Sequence, residues 1–290
     1  MFYSLLMILS AFAYACNFAV TKVYQLEKGN GPKAGVVFNC ICGLLGAVLY
    51  FAFGGFKCDV TAYSLIMAFL MTLFAGTYTM IGFKIMSMGN MTIYTVFLML
   101  GGMVGPYIYG LLFLDEAITL SKFIAIIVMI VAVITQSGKL GGKQSLKYYM
   151  LCVLVFILNG GCSIVSKMHQ IEQVYSIVDP ESFLILKNAT RFLFFALLIP
   201  FFSKENIQFK VKLPKTLLVI AASAVISGVG YVLQLFGASN LPATIQFPII
   251  TGGTIVFSAF FDVLVYKAKL SALQIFSVVL CVVSTIVFVL

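Results

Sequence analysis

Charge is what this sequence has least of. Only 9% of its 290 residues are charged, whereas 62% are hydrophobic and the mean hydropathy is +1.12. A soluble domain carries about 25% charged and about 45–50% apolar residues, so too little polar surface exists here to cover a water-facing globule. The bilayer must be the solvent for most of the chain. Histidine is reduced to His169, and the seven cysteines contain no CxxC pair, which argues against a zinc site, a disulfide framework or any cofactor. Six of those cysteines fall inside apolar runs and Cys58 sits in a connection, the distribution of small buried hydrophobes. Acids are scarce too. Only Asp262 lies well within an apolar run, so a proton-coupled mechanism, which needs a titratable group in the membrane, has that single candidate. The N-terminus lacks a basic segment before its apolar stretch and a small-residue cleavage site after it, so it reads as a retained helix.

What is present is a series of ten apolar runs, at 3–23, 34–53, 63–86, 91–114, 120–136, 148–168, 182–202, 216–237, 243–266 and 271–290. A helix needs roughly 20 such residues to cross a hydrocarbon core about 30 Å thick. The runs are continuous rather than alternating, which selects helices over barrel strands. Their connections are short and carry turn signals, such as Gly29-Asn30-Gly31-Pro32-Lys33 and Gly138-Lys139-Leu140-Gly141-Gly142-Lys143.

The chain also repeats itself. Val20-Thr21-Lys22-Val23-Tyr24-Gln25-Leu26-Glu27 returns as Val165-Ser166-Lys167-Met168-His169-Gln170-Ile171-Glu172, half a chain later. Gly89-Asn90 is echoed by Ser239-Asn240, and Gly101-Gly102 by Gly252-Gly253. The order is therefore 5 + 5, with a first five-helix repeat at 1–137 and a second at 146–290. A chain that crosses five times ends on the far side, so the second copy enters upside down. The expected fold is an all-α integral membrane protein of ten transmembrane helices in two inverted five-helix repeats, with its binding site near the midplane between them.

The net charge of +9 does not point to nucleic acid, because the lysines are scattered between apolar runs rather than gathered on one domain. Lys22, Lys28, Lys33, Lys84, Lys139, Lys143, Lys147, Lys204, Lys210, Lys212, Lys215, Lys267 and Lys269 hold or adjoin connections after odd-numbered runs; Lys57, Lys122 and Lys167 adjoin the others. By the positive-inside bias, the odd-numbered exits face the cytoplasm and both termini lie outside, in a membrane expected to be a bacterial plasma membrane.

Phe113-Leu114-Asp115-Glu116-Ala117-Ile118-Thr119, at the exit of the fourth run, is similar to a Gly-Glu-x-x-Ser/Thr junction, and Arg191-Phe192-Leu193-Phe194-Phe195-Ala196 to an Arg-Phe-x-x-x-Ala pattern. On these residues the chain resembles the drug/metabolite transporter superfamily, in its EamA-like branch. Two departures stand out: the first-half counterpart of Arg191 falls near Gly43, and the second-half junction reads Tyr266-Lys267-Ala268-Lys269 without an acid. The family's usual cytoplasmic termini also oppose the lysine distribution. The resemblance implies a ten-helix carrier of small metabolites or drugs working by alternating access, with a cavity lined by helices one, three, four, six, eight and nine and with helix seven at the periphery.

Polar groups inside a bilayer usually face the bundle interior. On those six helices the candidates for substrate contact are Asn17, Lys22, Tyr78, Lys84, Tyr94, Asn159, Lys167, Tyr231, Gln234 and Gln246, with interhelical hydrogen bonding as the alternative for each. Lys22 and Lys167 occupy matching places, either flanking the cavity at its two mouths or snorkelling to the headgroups. Asp262 is the proton-coupling candidate, with pairing to Lys267 or Lys269 as the alternative. Gly101, Gly102 and Pro106, matched by Pro248, Gly252 and Gly253, are the hinge candidates, with close helix packing as the alternative. Lys187 and Arg191 share a face of helix seven and are expected to be structural or lipid-facing. The function expected is secondary transport of a small organic solute, anionic or zwitterionic because intramembrane cations outnumber acids. The partners are that solute and the lipid bilayer, and with both copies in one chain a monomer suffices. No enzyme is expected: a lipid-modifying membrane enzyme would need an HExxH, acidic-pair or Ser/His/Asp constellation that is missing. A non-transporting scaffold is the other alternative.

Overall fold

The structure, a computed structural model, describes residues 2–29, 31–88, 91–117, 119–136, 145–202, 213–265, 267 and 269–289. The Gly89-Asn90 echo and the 138–143 connection lie outside the described residues. Among the described residues ten α-helices follow one another: α1 (Phe2–Lys28), α2 (Pro32–Phe53), α3 (Ala62–Met88), α4 (Met91–Phe113), α5 (Leu120–Gln136), α6 (Leu146–Ile171), α7 (Pro180–Leu198), α8 (Leu213–Ala238), α9 (Ala243–Leu264) and α10 (Ala272–Val289). No strand occurs among the described residues. Among the described residues eight helices are long and apolar enough to cross a membrane; α5 and α10 are apolar but shorter. At 17 and 18 residues and about 1.5 Å per residue, those two fall somewhat short of a core about 30 Å thick.

Local chemistry sets several ends. Asp179 caps α7, its Oδ1 accepting from the amides of Glu181 (2.9 Å) and Ser182 (2.8 Å), and Pro180 follows at the first helical position, where no amide partner is needed. Ser145 caps α6 through the Tyr148 amide, and Pro32 opens α2. Gly29 (φ 81°), just past the end of α1, takes the left-handed conformation that stops a helix. α1 extends five residues beyond the apolar run that predicts it, and Lys22 and Glu27 in that extension and the turn before it hold partners on α9 and α8.

The neighbours form a regular pattern. α1 packs on α8 and α9, α6 on α3 and α4, α2 on α7, α5 on α10, and α4 on α9. Exchanging each helix with the one five places along maps these principal contacts onto themselves. α5 and α10 run antiparallel: Ser277 Oγ donates to Ala132 O (2.6 Å) and Ser284 Oγ to Ala125 O (3.1 Å). α2 and α7 also run antiparallel, and they approach closely because small residues line the seam. A Cβ on Gly43 would stand 2.7 Å from Phe192 N and 2.9 Å from Asn188 O, and one on Gly46 2.7 Å from Asn188 Oδ1.

α4 and α9 continue without a break through Gly101, Gly102 and Pro106 and through Pro248, Gly252 and Gly253, where the sequence suggests interruptions. Those glycines sit at contacts. Gly101 faces the Phe156 backbone, Gly102 faces Asn159, Gly252 faces Met129 and Thr285, and Gly253 faces Ala11. One apolar core joins Met103, Tyr107, Met129, Ile249 and Ile255; a second joins Met71, Phe183, Leu184, Tyr231 and Leu235.

The α2–α7 seam yields a test. Gly43→Val forces the two backbones apart and should destabilise the protein by about 1–3 kcal/mol, the usual cost of overpacking. Gly31→Ala, whose Cβ meets nothing within 4 Å, should leave the thermal midpoint in detergent unchanged. Equal melting of the two variants would contradict the close crossing.

Candidate functional site

A cavity of about 250 Å³ lies about half-way along α2, α3, α6 and α7. Its walls include Asn39 of α2, Thr72, Tyr78 and Thr79 of α3, Cys162 of α6, and Lys187 and Arg191 of α7. Close packing at Gly43 and Gly46 brings Asn39, one turn earlier on α2, against α7. There its Oδ1 accepts from Arg191 Nη2 (2.6 Å) and Nε (3.2 Å). Four residues toward the start of α7, Lys187 places Nζ 3.2 Å from the centre of the Tyr231 ring. A cation over an aromatic face is held by the ring quadrupole. The Tyr231 hydroxyl is 3.0 Å from Ser166 Oγ and 3.2 Å from Met71 Sδ, which fixes the ring from α6 and α3. Thr72 and Thr190 hydroxyls, 2.8 Å apart, tie α3 to α7 beside the cavity.

Lys187 and Arg191 therefore do not face lipid. The expectation of a peripheral α7 is overturned, since α7 packs against α2, α3 and α8 and its two intramembrane cations point into the protein. The signal was in the sequence: charge in a span faces the interior because hydrocarbon will not solvate it.

Among the ten candidates for substrate contact, Tyr78 lines the cavity and Tyr231 adjoins it through Lys187. The others lie elsewhere. Asn17 Oδ1 accepts from Ser223 Oγ (2.5 Å), tying α1 to α8, and Asn159 Nδ2 donates to Leu98 O (2.7 Å), tying α6 to α4. Gln234 accepts from the Tyr14 hydroxyl (2.6 Å), while its carbonyl receives Gln246 Nε2 (2.9 Å). Gln246 is fully buried, and its Oε1 has no partner among the described residues. Tyr94 is buried with Ile85, Tyr148 and Cys152, and Lys84 is exposed near the end of α3.

The matched lysines part company. Lys22 pairs with Asp262 (2.9 Å), both side chains a little over 40% exposed. Asp262 is thus bound to α1 rather than to Lys267 or Lys269. Lys167 is 3% exposed and caps α8, with Nζ donating to the carbonyls of Ala238 and, at 2.5 Å, Leu241. It neither snorkels nor faces the cavity. Beside it, Glu116 caps the start of α9: its carboxylate accepts from the amides of Ala243 (2.6 Å) and Thr244 (2.8 Å) and from the Thr244 hydroxyl (2.8 Å). Charges of each sign thus sit where a helix terminus of the opposite polarity ends. The same end of the bundle holds the lone histidine, with His169 Nε2 2.8 Å from Ser64 Oγ and its ring stacked on Phe183. Ser64 Oγ in turn accepts from the Val178 amide (3.1 Å), clamping the α6–α7 connection to the start of α3. No cluster of three or more metal-ligating side chains occurs among the described residues.

A model of the EamA-like transporter family matches residues 146–290. A protein of known crystal structure, 13% identical, superposes with a TM-score of 0.76 over 97% of this chain and 95% of its own; at that identity the likeness concerns the fold. No curated protein matches.

The α6–α7 connection supports a pH test. Although partial burial pushes Asp179 up, the amide and hydroxyl of Ser182 and the amide of Glu181 hold its carboxyl below the usual carboxylate range. Its contribution is complete above the unfolded carboxylate pKa and is lost as pH falls through the lower folded value. Asp179→Ala should therefore cost about 0.5–2 kcal/mol at neutral pH and progressively less in acid, read as the gap between thermal midpoints of variant and parent.

Proposed function

We propose that this chain, which belongs to the EamA-like transporter family, is a secondary carrier that moves a small organic anion or zwitterion by alternating access, using the cavity between α2, α3, α6 and α7. The family makes it a membrane transporter of the drug/metabolite type; solute class and mechanism are our reading. The observation that carries the reading is a mid-depth cavity with two cations in its wall, Lys187 and Arg191, in a chain with few other intramembrane charges.

Alternating access needs two bodies that rock about a central site. The two five-helix halves, 1–137 and 146–290, are those bodies in our reading, the second inverted relative to the first and α5 and α10 completing ten passes. Support comes from the octapeptide echo at Lys22 and Lys167, the exchange symmetry of the helix contacts, and the antiparallel pairs α2–α7 and α5–α10. Polar ties between the halves then sit at both ends. Lys22–Asp262 and Glu27–Lys215 join them at the lysine-rich end, and Glu116 joins α9 at the other. Pro106 and Pro248, each within an unbroken helix, are the points at which α4 and α9 would flex. In our reading both termini lie outside, which the lysine distribution supports. Asp262, half-exposed and paired, is a weaker proton-coupling candidate in this arrangement than as an isolated acid. A single chain contains both halves, so a monomer suffices.

Tethering the halves tests this. Lys22→Cys with Asp262→Cys, in a background without the seven native cysteines, can be joined by a short thiol cross-linker. An exposed ion pair contributes at most about 1 kcal/mol, so the double variant should melt as its parent does. Cross-linking should stop saturable solute flux into proteoliposomes, and a cleavable linker should restore it on reduction. Full flux with the tether closed would rule out rocking of one half against the other, and absence of saturable flux across a metabolite panel would favour a scaffold.

A further inference from the structure

We propose that Lys187 and Arg191 form a two-point site for a compact dianion, a phosphate monoester or a short dicarboxylate. The inference rests on the carrier reading above and specifies its solute. Two cations share one cavity wall, and no Asp or Glu is among the residues that line it. Their protein partners hold them without neutralising them. Arg191 spends two atoms of its fork on Asn39 Oδ1, an uncharged amide oxygen, and is itself among the residues that line the cavity. Lys187 rests on the Tyr231 ring, which brings no negative formal charge. Away from the cavity, Lys22 is paired with the Asp262 carboxylate, and Lys167 is held by the backbone carbonyls of Ala238 and Leu241. The pair on α7 shares one cavity wall with no carboxylate beside it.

An uncompensated cation in a low-dielectric interior is costly, and a partner of opposite charge removes most of that cost. A neutral solute would leave both charges standing and a monoanion one; a dianion meets both. Geometry narrows the class further. Residues four apart on a helix lie about 6 Å along its axis on one face, a separation that two carboxylates of a short dicarboxylate, or the phosphate and a hydroxyl of a small ester, can span. The arginine fork suits either oxyanion, since planar bidentate donors match carboxylate and phosphate alike. Tyr78 adds a hydroxyl on the facing helix, while Met71, Ala75 and Phe195 supply apolar wall for the carbon skeleton. The cavity, about 250 Å³, is below the range of about 300–1,000 Å³ that holds drug-sized ligands, so the solute is a small metabolite.

The test is thermal stabilisation of the purified protein in detergent by succinate, glycerol phosphate and inorganic phosphate, with lactate, glycerol and choline as comparisons. A dianion should raise the melting temperature in a saturable way, lactate less, and glycerol and choline not at all; the arms with succinate and the two phosphates separate dicarboxylate from phosphate recognition. Lys187→Gln and Arg191→Gln should each weaken dianion affinity about tenfold or more, the equivalent of losing one charge-assisted hydrogen bond. Lys187→Arg, which keeps the charge, should retain the preference for dianions. Equal stabilisation by glycerol or choline in the unaltered protein overturns the proposal without any variant, as does an undiminished dianion response in both Gln variants. Flux in proteoliposomes separates the two claims. Dianion binding without flux would overturn the carrier reading and leave the site standing, whereas flux of a neutral or cationic solute that survives Lys187→Gln would overturn the site and leave the carrier standing.

Discussion

In hydrocarbon a polar group has no solvent to fall back on, so each must find its partner within the protein, and this condition organises the bundle. Backbone groups are met by continuous helices, and the groups left over at helix ends are met by side chains from other helices. Glu116 reaches from the end of α4 to the first amides of α9, and Lys167 reaches from α6 to the last carbonyl of α8, that of Ala238, and to that of Leu241 in the turn beyond. The turn between α8 and α9 is thereby held on both sides by charges matched to its two dipoles. Within the spans, serines and asparagines serve the same end, as with Ser277 and Ser284 on α5 carbonyls and Asn159 on Leu98.

Against that background α7 is distinctive. Its cations are met by an amide oxygen and an aromatic face, both of which orient a charge and cancel none of it. The site depends on a seam some distance from it: the glycines of α2 allow the close approach that places Asn39 under Arg191. Packing, hydrogen bonding and electrostatics thus meet along one helix pair.

The helices themselves were legible in the sequence, since long apolar runs in lipid have few alternatives; α5 was placed at the residues where it occurs, and most other ends within a few residues. The EamA-like resemblance, read from Glu116 and Arg191, agrees with the family match over 146–290. What the sequence could not supply was the partner of each polar group. Lys22 and Lys167 sit in equivalent octapeptides, yet one ends on a carboxylate and the other on helix carbonyls, because that depends on which termini lie nearby in space. For Asp262 the sequence offered Lys267 or Lys269 as partner, and the structure supplies Lys22 instead. Lys187 and Arg191 were assigned to the periphery from the resemblance, although their cost in lipid argued for the interior; here the physical rule outperformed the analogy. The glycines of α4 and α9 suggested breaks, and their neighbours in the structure account for them as contact points.

On the reading of two inverted halves proposed above, the antiparallel crossing of α2 and α7 bears on why one chain would carry both. A pair of identical five-helix subunits meeting across such a crossing would present the same residue from each side. Two glycines would leave the wall uncharged, and two arginines would collide and repel. With Gly43 facing the Asn188–Phe192 turn and Arg191 lying within that turn, a single polypeptide seats one guanidinium beside the crossing, an arrangement that a symmetric homodimer could never encode.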